Sequence, residues 1–285
     1  MSEIVTKQKD YTVAGNTLIN RMFAAGNSLR YRISEPLQLH MVRKKYEYLY
    51  LKKNDDPLIS IIIPTYNRGK ILVERTIPSI LAQTYKNFEI VVVGDRCIDN
   101  TGELIKTIDD SRVWFFDMPS RGKYPEHFAS RWFVQGVPPR NKGLRIARGL
   151  WFAWISDDDL LLPHHFEVLL RFAQEHNHEF VSAAYTYEKH GEIKLQDAAD
   201  FTPRIGGMQT WLYRSYLKVF KWNINSWRKH WNRPCDYDLQ FRMHEAGVRM
   251  GFINEVVAHV PAAEGTNTIG FEAQKVSTQN LKVKP

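Results

Sequence analysis

Two unbroken apolar runs, LISIIIPTY at 58–66 and FEIVVVGD at 88–95, constrain the fold of this chain more than any other feature. A strand with one wet face alternates apolar and polar residues. Here β-branched residues follow one another, as they do in parallel strands covered by helices on both faces. Parallel strands need a crossover, and TIPSILAQTY (76–85) reads as one, a helix with Thr76 as its cap and Pro78 in its first turn. Beyond the second run Asp99 can cap NTGELIKTI, RVWFFDM (112–118) forms a third strand, and NKGLRIARG forms a helix leading into strand LWFAWIS. PHHFEVLLRFAQEHN then reads as a helix with Phe166, Leu169, Leu170 and Ala173 turned inward. The alternation predicts an α/β fold with a doubly wound, mostly parallel sheet.

Residues 1–56 form a leader of different character. In SEPLQLHMVRKKYEYLYLKK, Leu39, Val42, Tyr46 and Leu49 recur at helical spacing, Pro36 suits a first turn, and Arg43, Lys44 and Lys45 cluster beside the stripe. Such a helix docks on the core, on an oligomeric partner, or peripherally on an anionic membrane. The chain has 285 residues, 44% of them hydrophobic, enough for a substantial core; its net charge of +8 favours an anionic partner. The basic residues are scattered and no nucleic-acid recognition module is present, so nucleic acid is not expected. Cys97 and Cys235 make neither a metal-binding spacing nor a disulfide framework. With no membrane-length apolar run and no signal-peptide core, the expected location is cytoplasmic, with peripheral contact at the inner face of a membrane as the variant.

Open parallel sheets bind ligands at the carboxyl ends of their strands, and the polar clusters fall there. PTYNR (64–68) follows the first strand, GDRCID (94–99) the second, and three consecutive aspartates, 157–159, the fourth. Adjacent carboxylates repel one another unless a cation neutralises them, and a hard divalent ion, Mg²⁺ or Mn²⁺, is the natural complement. Neither G-x-G-x-x-G nor a P-loop follows a strand. A nucleotide diphosphate held mainly through its metal is what remains.

ISIIIPTYNR, Q-T-Y-x-x-F-E-I-V-V-V-G-D-x-x-x-D-N-T, R-N-x-G-L-x-x-A-x-G and D-D-D-x-x-x-P, in this order, resemble the family 2 glycosyltransferases of the GT-A fold. CDYDLQFRMHEAG (235–247) resembles the family's second acidic element and extends the likeness to about residue 260. The resemblance implies a GT-A domain over 57–260, made of a Rossmann-like nucleotide-binding half and an acceptor-side region, with a C-terminal tail at 261–285. It implies that Pro64, Thr65, Tyr66 and Asn67 wall the nucleoside pocket and that Asp95 reads the base. A carboxylate accepts the N3–H of uracil or thymine, so a UDP-sugar, or a dTDP-sugar, is the expected donor. Arg140 or Asn141 would complete the base and phosphate contacts, and Asp157 would reach ribose or sugar hydroxyls. Asp158 would ligate the metal, with His259 as a further ligand, and Asp159 would lie behind the metal or on the acceptor side. Transfer with inversion needs one general base, and Asp236 holds the matching position, with Asp238 or Asp159 next in line. Gly94, Ser156 and Cys235 depart from the family pattern, each replacing a common acidic residue.

The acceptor side falls on RIGGMQTWLYRSYLKVFKWN (204–223), where Trp211 can stack on a sugar ring or pack in the core. Without the Q-x-x-R-W element of processive synthases, the expectation is one sugar added to a glycan, lipid-linked or protein acceptor. A non-catalytic nucleotide-sugar-binding protein and a sugar-phosphate nucleotidyltransferase are the alternatives. The latter would need a Gly-rich, Arg-containing loop where PTYNRGK stands.

Overall fold

A computed structural model describes residues 18–51, 56–201, 203–228 and 234–283, with side chains to 276. The ends of the leader at 1–17 and 52–55 therefore lie outside the described residues. The α/β domain opens with β1 (Ile59–Thr65), β2 (Phe88–Gly94), β3 (Val113–Asp117) and β4 (Trp151–Trp154), all parallel and adjacent in the order β3-β2-β1-β4. Their burial alternates between two cores. Ile62, Val91, Val93, Phe152 and Trp154 enter one, whereas Ile61, Ile63, Ile90, Val92 and Ala153 enter the other. Both faces are covered, which is why these runs have no polar phase.

The sheet continues through strands that the sequence reading did not single out. β5 is Leu160–Leu161, β6 Phe180–Lys189, β7 Glu192–Gln196, β8 Leu212–Arg214 and β9 Met250–Val260. The full order is β3-β2-β1-β4-β8-β6-β9-β5, with β7 on β6; β8 and β5 run against their neighbours and β6 lies parallel to β9.

The helices are α1 (Leu18–Tyr46), α2 (69–81), α3 (Thr101–Lys106), α4 (Phe128–Trp132), α5 (Val137–Ile146), α6 (His165–Glu175), α7 (Cys235–Glu245) and α8 (Gly270–Val283). Two expectations are corrected. Pro36 lies inside α1 and not in its first turn, and Tyr46 and Leu49 are exposed while Leu39 is buried. Thr76 does not cap a helix, because α2 begins at Gly69 and passes through a π-turn at Leu72–Thr76. The segment after 260 includes a docked helix: Phe271 is buried, with its ring edge-on to Trp132 at 5.1 Å.

Candidate active site

Register brings the first two polar clusters side by side. Thr65 pairs with Gly94, and the Asp95 N–H donates to the Thr65 carbonyl at 2.9 Å. Pro64 lies opposite Val93 within the strand pair. The chain then turns sharply after each strand, with Asn67 at φ 56° and Arg96 at φ 62°. Asn67 Oδ1 accepts the Ile98 N–H at 2.9 Å, tying the two loops together. A Cβ on Gly94 would meet Asp117 Oδ1 at 2.4 Å and the Phe115 ring at 2.8 Å, so no larger residue fits there without rearrangement.

Asp95 is buried, and both its oxygens are engaged. Oδ1 accepts the Gly122 N–H at 2.8 Å and Oδ2 the Tyr124 hydroxyl at 2.6 Å, with Arg121 Nε 4.0 Å away. The Arg121 guanidinium lies 3.6 Å from the centre of the Tyr66 ring, a cation–π contact. Burial and the neighbouring Asp95 push the Tyr124 phenol far up, which keeps it a hydrogen-bond donor. Arg121, Gly122 and Tyr124 are additions to the site that the sequence reading did not name. Their signal was available: PSRGKY follows the third strand, on the same carboxyl edge as the other clusters.

The acidic triplet is crowded. Thr65 Oγ1 donates to Asp157 Oδ2 at 2.7 Å and Thr76 Oγ1 to the Asp157 carbonyl at 3.0 Å, joining β1 and α2 to the end of β4. Arg68 reaches Asp158 Oδ2 at 2.8 Å and Asp157 Oδ1 at 4.0 Å, while Arg75 Nη2 bonds the Asp158 carbonyl at 2.6 Å. Burial, then the charge of Asp158, pushes the Asp157 carboxyl up to about 6. Asp159 is raised well above the usual range by burial and by both neighbours. Arg68 and Arg75 pull these carboxyls down without offsetting burial and mutual repulsion.

His259 pairs with Leu160 across β5 and β9, next to Asp159 in the chain. Its Nδ1 lies 2.9 Å from Thr186 Oγ1 and its Nε2 3.2 Å from Glu188 Oε1, so both ring nitrogens already have partners. Among the described residues no group of three or more His, Cys, Asp or Glu is arranged to hold a metal. The donor set still fits a hard cation of the Mg²⁺ type, which is held by one or two carboxylates and completed by substrate phosphates. Asp157 and Asp158 are the pair that fits.

Asp236 is the second residue of α7 and half-buried; its Oδ1 accepts the Tyr237 N–H at 2.9 Å. Burial raises its carboxyl above the usual range, against the pull of the Tyr237 amide and of Arg140. Arg140 Nη1 donates to the Gln135 carbonyl at 2.8 Å and lies 3.4 Å from Cys235 Sγ, and its charge is felt by both Tyr124 and Asp236. It therefore stands between the Asp95 assembly and α7. Burial pushes the Tyr185 phenol of β6 up, with the charges of Asp159 and Asp236 adding in the same direction. Burial pushes the Cys235 thiol up to about 12, which suits a packing residue and not a nucleophile.

Three named residues are engaged within the fold. Asn141 uses both ends of its amide on Trp222, donating to its carbonyl at 2.9 Å and accepting its N–H at 3.0 Å, and so clamps that loop. Trp211 is buried, stacks on Trp222 with centroids 6.0 Å apart and donates to the Gly206 carbonyl at 2.8 Å, leaving no open face for a sugar. Asp238 is buried and accepts from Arg242 Nε at 2.9 Å, so it is no free base.

The family model described as glycosyl transferase family 2 matches residues 60–125 and 137–240, more than half of the chain. GlyG of Streptococcus pneumoniae, a glycosyltransferase, is 32% identical over 45% of this chain and 39% of its own. The GalNAc(5)-diNAcBac-PP-undecaprenol beta-1,3-glucosyltransferase of Campylobacter jejuni is 31% identical over 49% of this chain and 42% of its own. The UDP-Glc:alpha-D-GlcNAc-diphosphoundecaprenol beta-1,3-glucosyltransferase WfgD of Escherichia coli is 30% identical over 46% and 47%. The chain spans less than half the length of each of these relatives. Among solved structures, TarS 1-349 of S. aureus in complex with UDP-GlcNAc aligns at TM-score 0.55 with 16% identity, over 73% of this chain and 60% of its own. The mannosyltransferase PcManGT of Pyrobaculum calidifontis, in complex with GDP-Man and Mn²⁺, aligns at TM-score 0.55 with 17% identity over 83% and 67%. At these identities the two structures speak to the fold, which is of the GT-A type.

Proposed function

The chain belongs to glycosyl transferase family 2, and from that premise we propose that it moves one sugar, with inversion, from a UDP-sugar to a hydroxyl of a lipid-linked saccharide. The observation that supports the reading is the grouping of Asp95 and the triplet around the end of β1, where Thr65 bonds both the Asp95 N–H and Asp157, with the carboxyls of Asp157 and Asp159 raised by burial and by their neighbours. Asp95 accepts the N3–H of uracil on lone pairs that Gly122 and Tyr124 leave over, and those two donors fix the carboxylate's orientation. Arg121, held on Tyr66, brings positive charge to the same pocket. Thr65 and Thr76 hold Asp157 in place, and Asp157 with Asp158 would hold a divalent cation, Mn²⁺ or Mg²⁺. Such an ion would supply charge neutralisation for the departing nucleotide diphosphate.

Asp236 receives the proton of the acceptor hydroxyl. Its raised pKa brings it closer to working pH and makes it a better base than an ordinary exposed aspartate. The names of the Campylobacter and Escherichia relatives, both acting on undecaprenol-linked saccharides, support a lipid-linked acceptor over a protein one. Thermal melting with UDP, dTDP, GDP and CMP, each with Mn²⁺ or with chelator, tests the donor reading. UDP with Mn²⁺ should give the largest rise in Tm. Equal shifts with ion and with chelator would remove the metal role from the triplet.

A further inference from the structure

α1 carries two opposed faces. Asn20, Ala24, Glu35 and Leu39 are buried against the domain. On the opposite flank Leu18, Met22, Leu29, Ile33, Leu37 and Met41, separated by four or seven residues, are each at least 60% exposed. At ~1.5 Å per residue this apolar flank runs for about 35 Å. An exposed apolar patch of this length marks an interaction surface.

The charges on α1 beside it are mostly of one sign. Arg21, Arg30, Lys44 and Lys45 are exposed along α1, Arg32 pairs with Glu245 of α7 at 3.0 Å, and the one acid of α1, Glu35, is buried against Arg242. No helix among the described residues is long and apolar enough to cross a membrane. Two copies packed through this face would set cation against cation, so the charge pattern disfavours a second chain and matches an anionic surface.

We propose that the outward face of α1 docks on an anionic lipid surface, its apolar flank at the acyl boundary and its basic residues among the headgroups. The proposal stands on α1 itself; it draws on the glycosyltransferase reading only for its purpose, which is to bring the site to a lipid-linked acceptor. α1 is joined to the acceptor side by Arg228, whose Nη1 donates to Asn20 Oδ1 at 2.8 Å and whose guanidinium lies 5.0 Å from the Phe23 ring, shortly before α7 and Asp236. Arg242 of α7 also bonds Glu35. Docking through α1 therefore holds the catalytic helix at a fixed height above the lipid.

The full chain, without nucleotide, is sedimented with phosphatidylcholine vesicles with and without phosphatidylglycerol. Binding to the anionic vesicles should be at least about tenfold stronger and should weaken with added salt. The double substitution Ile33→Asp with Leu37→Asp should abolish it, and Arg30→Glu with Lys44→Glu should weaken it severalfold. All four side chains are exposed, so the UDP-induced rise in Tm should survive in both variants; that readout separates failure of docking from failure of the donor reading. Three results would overturn the proposal: no binding to anionic vesicles, binding indifferent to both variants, or a dimer by analytical ultracentrifugation that Ile33→Asp with Leu37→Asp disperses while vesicles stay unbound.

Discussion

Two sets of buried acids in this molecule are handled in opposite ways. Between α1, β6 and α7, each acid is matched. Glu179 accepts from Arg43 Nε at 2.7 Å, from the Tyr216 hydroxyl at 2.6 Å and from the Arg249 N–H at 2.7 Å. Burial alone would push its carboxyl up, but those bonds hold it below the usual range. At the carboxyl edge of the sheet, by contrast, Asp157 and Asp159 are raised. Arg68 and Arg75 stand at the triplet, yet they do not offset burial and mutual repulsion there as the partners of Glu179 do. Matched charge positions elements, while mismatched charge is held ready for a ligand.

Helix α7 carries both kinds of acid two residues apart, which makes it the sharpest place to break the comparison. Asp236→Asn keeps the shape and removes the base, so transfer should fall about 10²- to 10⁴-fold while calorimetric UDP binding is unchanged. Transfer at the parental rate would move the catalytic role to Asp159, since Asp238 is locked to Arg242. On the matched side, Glu179→Ala takes the carboxylate from Arg43 and the acceptor from the Tyr216 hydroxyl and the Arg249 N–H, and should cost about 3–5 kcal/mol in denaturant unfolding. A loss under about 1 kcal/mol would mean that the cluster is relieved by solvent.

A third test reads the mismatch directly through pH. Asp157 has its folded pKa raised to about 6, above its unfolded value, so its contribution is fully present below about pH 4 and is lost as pH rises through 6. His165, buried and pushed down to about 4, works in the opposite sense: its contribution is present above about pH 6.5 and is lost as pH falls through 4. The useful quantity is therefore the difference between the parent and Asp157→Asn, without metal, across pH 4 to 7. The substitution should make the protein relatively more stable toward pH 7, by at most about 3 kcal/mol. Identical profiles would show that Asp157 is not strained. The smallest effect is expected at Asn141→Ala, which removes two hydrogen bonds to Trp222 and should cost about 1–2 kcal/mol, with UDP affinity intact. Weaker UDP binding would return Asn141 to the nucleotide pocket.

The parallel half of the fold was legible because its evidence is local. Ile61–Ile63 and Val91–Val93 are buried on both faces, and unbroken β-branched runs admit few other solutions. Turn residues mark the ends of those strands, so the positions of Asp95 and the triplet followed from chain order. Strands β6 to β9 were not legible in the same way: β8 is three residues long, and β6 meets β9 across a register shift. Their pairing is set by long-range packing that no local pattern records.

Sequence alone thus determined the parallel strands, their carboxyl edge and the acids on it, because apolar runs and turn chemistry act within a few residues. Only the tertiary structure decided which acids are free. Asp236 and Asp238 share a helix turn and look alike in sequence, yet Arg242 takes one and leaves the other. Likewise Asn141 was drawn to Trp222, Trp211 into the core, and Arg121 onto Tyr66. Charge and hydrogen-bond capacity are properties of a residue, but whether they are spent depends on neighbours that the fold brings from far along the chain.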